Sequence, residues 1–280
     1  MARFIPIPIL LLALAASAQT RRVLIITDGE GVAGICRQDQ TDPNHPELRP
    51  LLTGEANAAV QGFLDGGADE VVVWDGHDGS QTLSAMTIHP KAKLLMGALG
   101  YSGTLERRYS AVAFVGQHAM GNVRNSIMGH SFSSLGIQYM KVNGKPVGEI
   151  GIWTAMAGSH GTPVIFLSGD QAAVDELRAL VPDAEFASVK EGLGRYTCLT
   201  VSAERSREMI REGARRAMGR LGQIKPYVQA GPVTLEIEYT TRSSLPPDAG
   251  MRQGAEVVDD RTIRFRGASL ADAWRLYRIR

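Results

Sequence analysis

The hydrophobic and polar positions along this chain follow two rhythms. Short, continuous apolar runs come first: RVLIIT from Arg22, EVVVW from Glu70, AVAFV from Ala111 and PVIFL from Pro163. Runs of this length, rich in β-branched residues, predict strands buried on both faces of a parallel sheet. Helical spacing appears between them. Leu52, Ala56, Val60, Phe63 and Leu64 mark a helix over 51–64, ended by Gly66-Gly67. Asp170 is placed to cap a helix running to Leu180, ahead of Pro182. Ile137 to Val142 followed by Asn143-Gly144 predicts a strand with a hairpin turn, and Val147 to Ala157 a helix. Strands alternating with helices indicate an α/β fold with a mostly parallel sheet flanked by helices.

The texture changes beyond about residue 200. Ser202 can cap a helix with Ile210, Ala214, Ala217 and Leu221 on its apolar side. The other side carries Glu208–Arg211 and Glu212–Arg216 at i,i+3 and i,i+4, a solvated or subunit-facing surface. VTLEIEYT from Val233 alternates with period two, as a half-buried strand does, and Leu270 to Ile279 reads as a closing helix. The expected organisation is an α/β region over 19–200 and a smaller α+β part over 201–280, with a soft boundary and one domain as the alternative.

Residues 1–18 read as a signal peptide. Arg3 supplies a positive start, Ile5 to Ala16 is apolar, and Ala16-Ser17-Ala18 is an A-x-A cleavage site. The apolar run falls short of the ~20 residues a span needs. The chain is therefore expected to be exported, periplasmic or secreted, with no membrane association after cleavage. Export permits a disulfide. The two cysteines, Cys36 and Cys198, are expected to be free and buried. A formal net charge of +1 and the absence of a basic run argue against a nucleic-acid partner.

Chemistry concentrates where the predicted strands end. Asp28 and Glu30 follow the first strand in T-D-G-E-G, His77 follows the second in W-D-G-H-D-G, and His118 follows the third in V-G-Q-H-A. Ligands of open α/β sheets bind at the carboxyl ends of strands, so three strand-ends deliver carboxylate or imidazole to one edge. Glu149 lies near the start of the helix after the Asn143-Gly144 turn, a position less predictable from the pattern. Imidazole and carboxylate suit zinc, and two carboxylates spaced as Asp28 and Glu30 can serve two ions. A water shared by two metals becomes a hydroxide nucleophile, and the metals polarise the carbonyl under attack. Taken singly, each residue also fits a turn, cap or hydrogen-bonded structural role. Asp75 and Asp78 flank His77 as supporting or loop acids. His45, His89 and His160 read as an exposed, a structural and a helix-ending histidine. No HExxH helix, G-x-G-x-x-G fingerprint, Walker A sequence or G-x-S-x-G elbow is present.

These residues sit within a longer ordered series: D-G-E-G-V-A-G-I from Asp28, G-E-A-N from Gly54, D-G-H-D from Asp75, H-P-K-A from His89, G-Q-H-A from Gly116, M-G-H-S from Met128, K-P-V-G-E-I-G from Lys145 and P-V-I-F-L-S-G-D from Pro163. In this series the chain resembles the DppA-like D-aminopeptidases, a family of zinc metallopeptidases, with a weaker match beyond about residue 190. The resemblance implies metal ligands at Asp28, Glu30, His77, His118 and Glu149, two zinc ions, and Asp28 as their bridge. It places a non-ligand catalytic histidine at His130, to orient or protonate the reacting group or to stabilise the oxyanion. It further implies a ring-shaped homo-oligomer and release of N-terminal D-residues from short peptides, of the D-Ala-D-Ala type. Two other readings of the same residues stay open. One is a different metal-dependent hydrolase, such as an amidase or phosphoesterase. The other is a non-catalytic exported protein that binds a peptide or metal.

Overall fold

The computed structural model describes residues 20–97, 104–105 and 108–278. The signal-peptide segment lies outside them, as does Ile279. Among the described residues, no helix is long and apolar enough to cross a membrane.

The apolar runs form the centre of the larger of two sheets. Its strands are β1 (Arg22–Thr27), β2 (Glu70–Trp74), β3 (Ala92–Leu95), β4 (Ala111–Gln117), β7 (Val164–Asp170), β8 (Glu185–Gly194) and β9 (Thr197–Thr200). Their order is β3-β2-β1-β4-β7-β8-β9, and every pair is parallel except β8–β9. Residues 23–26, 111–115 and 164–167 are all buried, as the unbroken hydrophobic runs require of a sheet covered on both sides. The strand order reverses between β1 and β4. In a doubly wound sheet that reversal opens a crevice at the carboxyl ends of the two strands.

Helices α1 (Leu48–Asp65) and α4 (Ala203–Gly219) pack together over this sheet. The ring of Phe63 meets Phe166 edge-on at 6.1 Å between centroids. α1 begins three residues before the predicted start. Pro50 is tolerated there because the amides of a first turn lack intrahelical acceptors anyway. α2 (Glu149–Ser159) and α3 (Gln171–Leu180) pack on each other and against β7. The Asp170 side chain accepts the Ala173 N–H at 2.6 Å, and Ser202 accepts that of Arg205 at 3.2 Å, so both predicted caps form.

The smaller sheet is antiparallel, in the order β11-β12-β10-β5-β6. It is built from β5 (Ile137–Val142), β6 (Lys145–Pro146), β10 (Val233–Tyr239), β11 (Ala255–Val257) and β12 (Thr262–Gly267). Asn143 and Gly144 turn from β5 into β6 with φ of 51° and 77°, the left-handed pair a two-residue hairpin needs. β10 alternates buried and half-buried positions, and α5 (Leu270–Arg278) covers β10 and β12.

The passage at residue 200 does not separate two packed units. α4 follows it yet lies on the large sheet, while β5 and β6 precede it and pair into the small one. The arginines of α4 also differ in part from the expected pattern. Arg211 pairs with Asp65 of α1 at 2.7 Å, and Glu208 with Arg205 at 3.0 Å. Arg216 and Arg220 grip Glu185 of β8 at 3.0 and 2.6 Å. The expected Glu212–Arg216 pair is present at 3.8 Å and the face is solvated as expected, but its arginines also tie the helix to α1 and β8.

Candidate metal centre

The loop after β1 stays hydrogen-bonded to the end of β4. Asp28 N–H donates to the Val115 carbonyl at 2.9 Å, and Gly31 N–H to that of Gly116 at 2.8 Å. The approach is so close that a Cβ on Gly31 would stand 2.0 Å from the Gln117 carbonyl oxygen. Glycine is required there by contact with backbone. Asp28 and Glu30 thus come to lie beside His118, which follows β4, and His77, which follows β2.

The imidazoles share one design. His77 Nε2 lies 2.7 Å from the Thr41 carbonyl, His118 Nδ1 2.9 Å from that of Ala119, and His130 Nδ1 2.9 Å from that of Met128. A carbonyl only accepts, so it fixes the N–H on that nitrogen and frees the other ring nitrogen. Each freed nitrogen faces carboxylate. His77 Nδ1 is 3.0 Å from Asp28 Oδ1 and 3.3 Å from Glu30 Oε2. His118 Nε2 is 3.3 Å from Asp28 Oδ2 and 3.6 Å from Glu149 Oε1. His130 Nε2 is 3.9 Å from the same Glu149 oxygen. Asp28 therefore offers one oxygen to His77 and the other to His118.

Two groups of ligand-type atoms lie within 4.8 Å of one another: Asp28, Glu30 and His118, and His118, His130 and Glu149. The structure thus brings all five residues expected as ligands, and His130, to one place. His130 sits closer to the ligand set than a purely remote acid or base would. His118 Nε2 and Glu30 Oε2 are buried without a hydrogen-bond partner. Buried atoms of this kind need a partner, and a divalent cation among imidazole and carboxylate donors is one that fits.

The electrostatics point the same way. Burial disfavours the Asp28 carboxylate, but the two imidazoles beside it, His118 and His77, outweigh it and hold Asp28 well below the usual carboxylate range. Burial likewise opposes charge on His77, yet Glu30 and Asp28 push it up to about 12, and His118 is raised well above an ordinary histidine for the same kind of reason. Glu149 is pushed up to about 7 by burial and by Asp28. His130 is lowered by burial and by the charge of His118. Three carboxylates packed this closely demand positive charge, and in its absence the imidazoles supply it as protons. A metal would displace those protons on binding.

A cavity of about 290 Å³ opens onto Asp28 and Glu149 and is walled by Trp74, Phe132, Trp153 and Trp274. The Phe132 N–H also donates to Glu149 Oε1 at 2.8 Å, tying this wall to the centre.

A further set of buried and half-buried charged residues holds the loops that carry the site, and apart from the Asp170 cap no local signal in the sequence marks this role. Lys190 Nζ donates to the carbonyls of Glu30 and Ile35, and to that of Val32 at 3.0 Å. Glu55, in G-E-A-N, accepts the Ala33 N–H at 2.9 Å. Asp170 caps α3 and also accepts the Ile127 N–H at 3.0 Å, on the segment leading to His130. Glu176 accepts the N–H of Met120 at 2.8 Å and that of Gly151 in the first turn of α2. Asp75 serves its own loop, accepting from Thr82 and Leu83, and His89 bonds Gln61 at 3.1 Å, a structural use. Cys36 and Cys198 are both free and half-buried, with a hydrogen bond between their side chains.

Comparison with known proteins matches this arrangement to one family. The D-aminopeptidase family of peptidases (M55) aligns with residues 21–279. A D-aminopeptidase of Bacillus subtilis (strain 168) is 25% identical over 260 residues, covering 90% of this chain and 94% of that protein. The solved structure of the Zn-dependent D-aminopeptidase DppA from Bacillus subtilis, described as a self-compartmentalizing protease, superposes with a TM-score of 0.83 at 25% identity. That likeness covers 91% of this chain and 95% of the other. With strand-end carboxylates and imidazoles converging at the β1/β4 crevice and the family alignment running through all of them, the chain belongs to the D-aminopeptidase family.

Proposed function

We propose that this protein is an exported, zinc-dependent aminopeptidase that uses two zinc ions to release N-terminal D-residues from short peptides such as D-Ala-D-Ala. The observation that carries the two-ion reading is the Asp28 carboxylate, which gives one oxygen to His77 and the other to His118, with Glu30 3.3 Å from His77 and Glu149 3.6 Å from His118. Asp28, Glu30, His77, His118 and Glu149 would hold the ions, with Asp28 between them. Bound zinc supplies acidification of a water and polarisation of the scissile carbonyl.

The chain's own groups supply the rest. His130 has its Nδ1–H fixed on the Met128 carbonyl, so Nε2 is left to accept or return a proton beside Glu149. Burial keeps His130 neutral and able to take that proton. The tryptophan and phenylalanine walls offer apolar surface to a side chain. The preference for D-residues and the zinc are supported by the relatives. A ring-shaped homo-oligomer is supported by the self-compartmentalizing neighbour. Export is supported by the charged start, apolar run and A-x-A site of residues 1–18.

Metal analysis joined to a paired assay on D-Ala-D-Ala and L-Ala-L-Ala tests the proposal. About two zinc ions per chain with cleavage of the D-dipeptide is the expected result. Bound zinc with preference for the L-dipeptide keeps the metallopeptidase and discards the D-specificity. No metal and no cleavage overturns the proposal.

A further inference from the structure

One face of α5 reaches the metal-site cavity. Trp274 and Arg278, four residues apart and so on the same side of the helix, both line it. Trp274 is locked in place. Its ring lies 5.0 Å from Phe132 and 5.5 Å from Trp153 between centroids. Arg278 is the one basic side chain among the described lining residues. It is exposed and makes no ion pair among the described residues, whereas Arg275 on the same helix lies 3.9 Å from Asp272. The other charged groups lining the cavity are acidic: Asp28 and Glu149 of the metal centre, and Asp78.

This distribution of charge matches a particular ligand. A dipeptide carries an ammonium at one end and a carboxylate at the other. Placing its peptide carbonyl at Asp28 and Glu149 leaves the carboxylate one residue further on, at most ~3.6 Å of chain per residue. The metal-site end is where the amino-terminal part must lie, and it is rich in carboxylate. The opposite requirement, a cation for the carboxylate, is met in this cavity by Arg278. A guanidinium presents paired N–H donors in the plane that a carboxylate accepts, so it distinguishes a free acid from an amide.

We propose that Arg278 binds the C-terminal carboxylate of dipeptide-length substrates and so makes the enzyme prefer free-acid dipeptides. The inference rests on the peptidase reading of the metal centre and names the substrate that centre takes.

The test is kinetic, on the zinc-loaded protein, with D-Ala-D-Ala and its C-terminal amide, D-Ala-D-Ala-NH2. The wild type should favour the free acid by about tenfold or more in kcat/KM, with the difference in KM, as expected when one charged contact is present or absent. Arg278→Met should collapse the ratio to within about threefold through loss on the free acid. Arg278→Lys should restore part of the preference, since it keeps the charge without the fork. A wild-type ratio near one, a ratio that Arg278→Met leaves intact, or an equal fall on both peptides overturns the assignment of Arg278 while leaving the peptidase standing. Cleavage of neither peptide by zinc-loaded wild type overturns both.

Discussion

His118 and His130 lie ring on ring, with centroids 4.2 Å apart and planes 14° from parallel. Both spend Nδ1 on a backbone carbonyl and turn Nε2 toward Glu149 Oε1, at 3.6 and 3.9 Å. Only His118 also reaches Asp28. It is fully enclosed, while His130 stands at the edge of the cluster. The stack thus offers two imidazoles to one carboxylate with unequal access to the rest of the centre.

That inequality predicts different consequences for the same substitution. His118→Ala should remove metal and activity together. His130→Ala should keep the metal and lower kcat by about 10²–10⁴, the usual cost of a lost acid or base. Zinc per chain and kcat, measured on both variants, decide it. Metal loss in His130→Ala would make that residue a ligand, within the group it forms with His118 and Glu149.

Lys190 should matter to the centre without touching it. Its ammonium satisfies three carbonyls of the loop that carries Glu30. Lys190→Met preserves length but leaves those carbonyls buried without donors, at a cost of about 2–4 kcal/mol. The loosened loop should also weaken zinc binding by about 10–100-fold, as loss of supporting hydrogen bonds does. Denaturant unfolding with zinc in excess reads the first effect, and zinc titration of the stripped variant reads the second. Unchanged zinc affinity would show that Glu30 is held by other contacts.

The same residue shows what the sequence conceals. The centre is foreshadowed locally, because β1, β2 and β4 are unbroken apolar runs and each is followed within a few residues by Asp28, His77 or His118. Strand-end topology then brings these together with no further information. Lys190 lies 160 positions from Glu30 in a strand where a lysine reads as solvent-facing, and only the fold joins them. Glu55 and Glu176 are hidden likewise, each on a helix where a glutamate is unremarkable. The layering around residue 200 is concealed for a related reason. The second sheet pairs β5 with β10, strands separated by the whole of β7, β8, β9 and α4. Composition along the chain carries no trace of such a pairing.

Removing the metal should destabilise the protein. The buried Asp28 and Glu30 carboxylates and the half-buried Glu149 would then be balanced by protonated imidazoles alone. At a free zinc concentration of about 1,000 times Kd, binding to the folded state adds about 4 kcal/mol. Chelation should lower Tm by a corresponding amount, and zinc should restore it. Magnesium should not, because it disfavours a site rich in imidazole. Thermal melts of stripped, zinc-treated and magnesium-treated protein check this. A Tm indifferent to chelation would sink the metal centre as a structural element.

Glu176 should make stability fall as pH rises. Burial pushes its carboxyl from an ordinary 4.5 up to about 7, against the hydrogen bond it accepts from Met120. Between those two values the folded protein holds a proton that the unfolded chain has released. The folded state is therefore favoured at the acid end, and the advantage is lost on passing upward through 7. At about 1.4 kcal/mol per pH unit, the full window is worth about 3 kcal/mol. Glu176→Gln mimics the protonated side chain and cannot titrate, so it isolates this contribution from the histidines of the centre, which both proteins share. The stability of wild type relative to Glu176→Gln, both saturated with zinc, should drop by about 2–3 kcal/mol between pH 5 and pH 8. A difference constant across that range would mean that Glu176 is ionised in the folded protein. Its grip on the Met120 and Gly151 amides, beside His118 and Glu149, would then be that of a buried carboxylate.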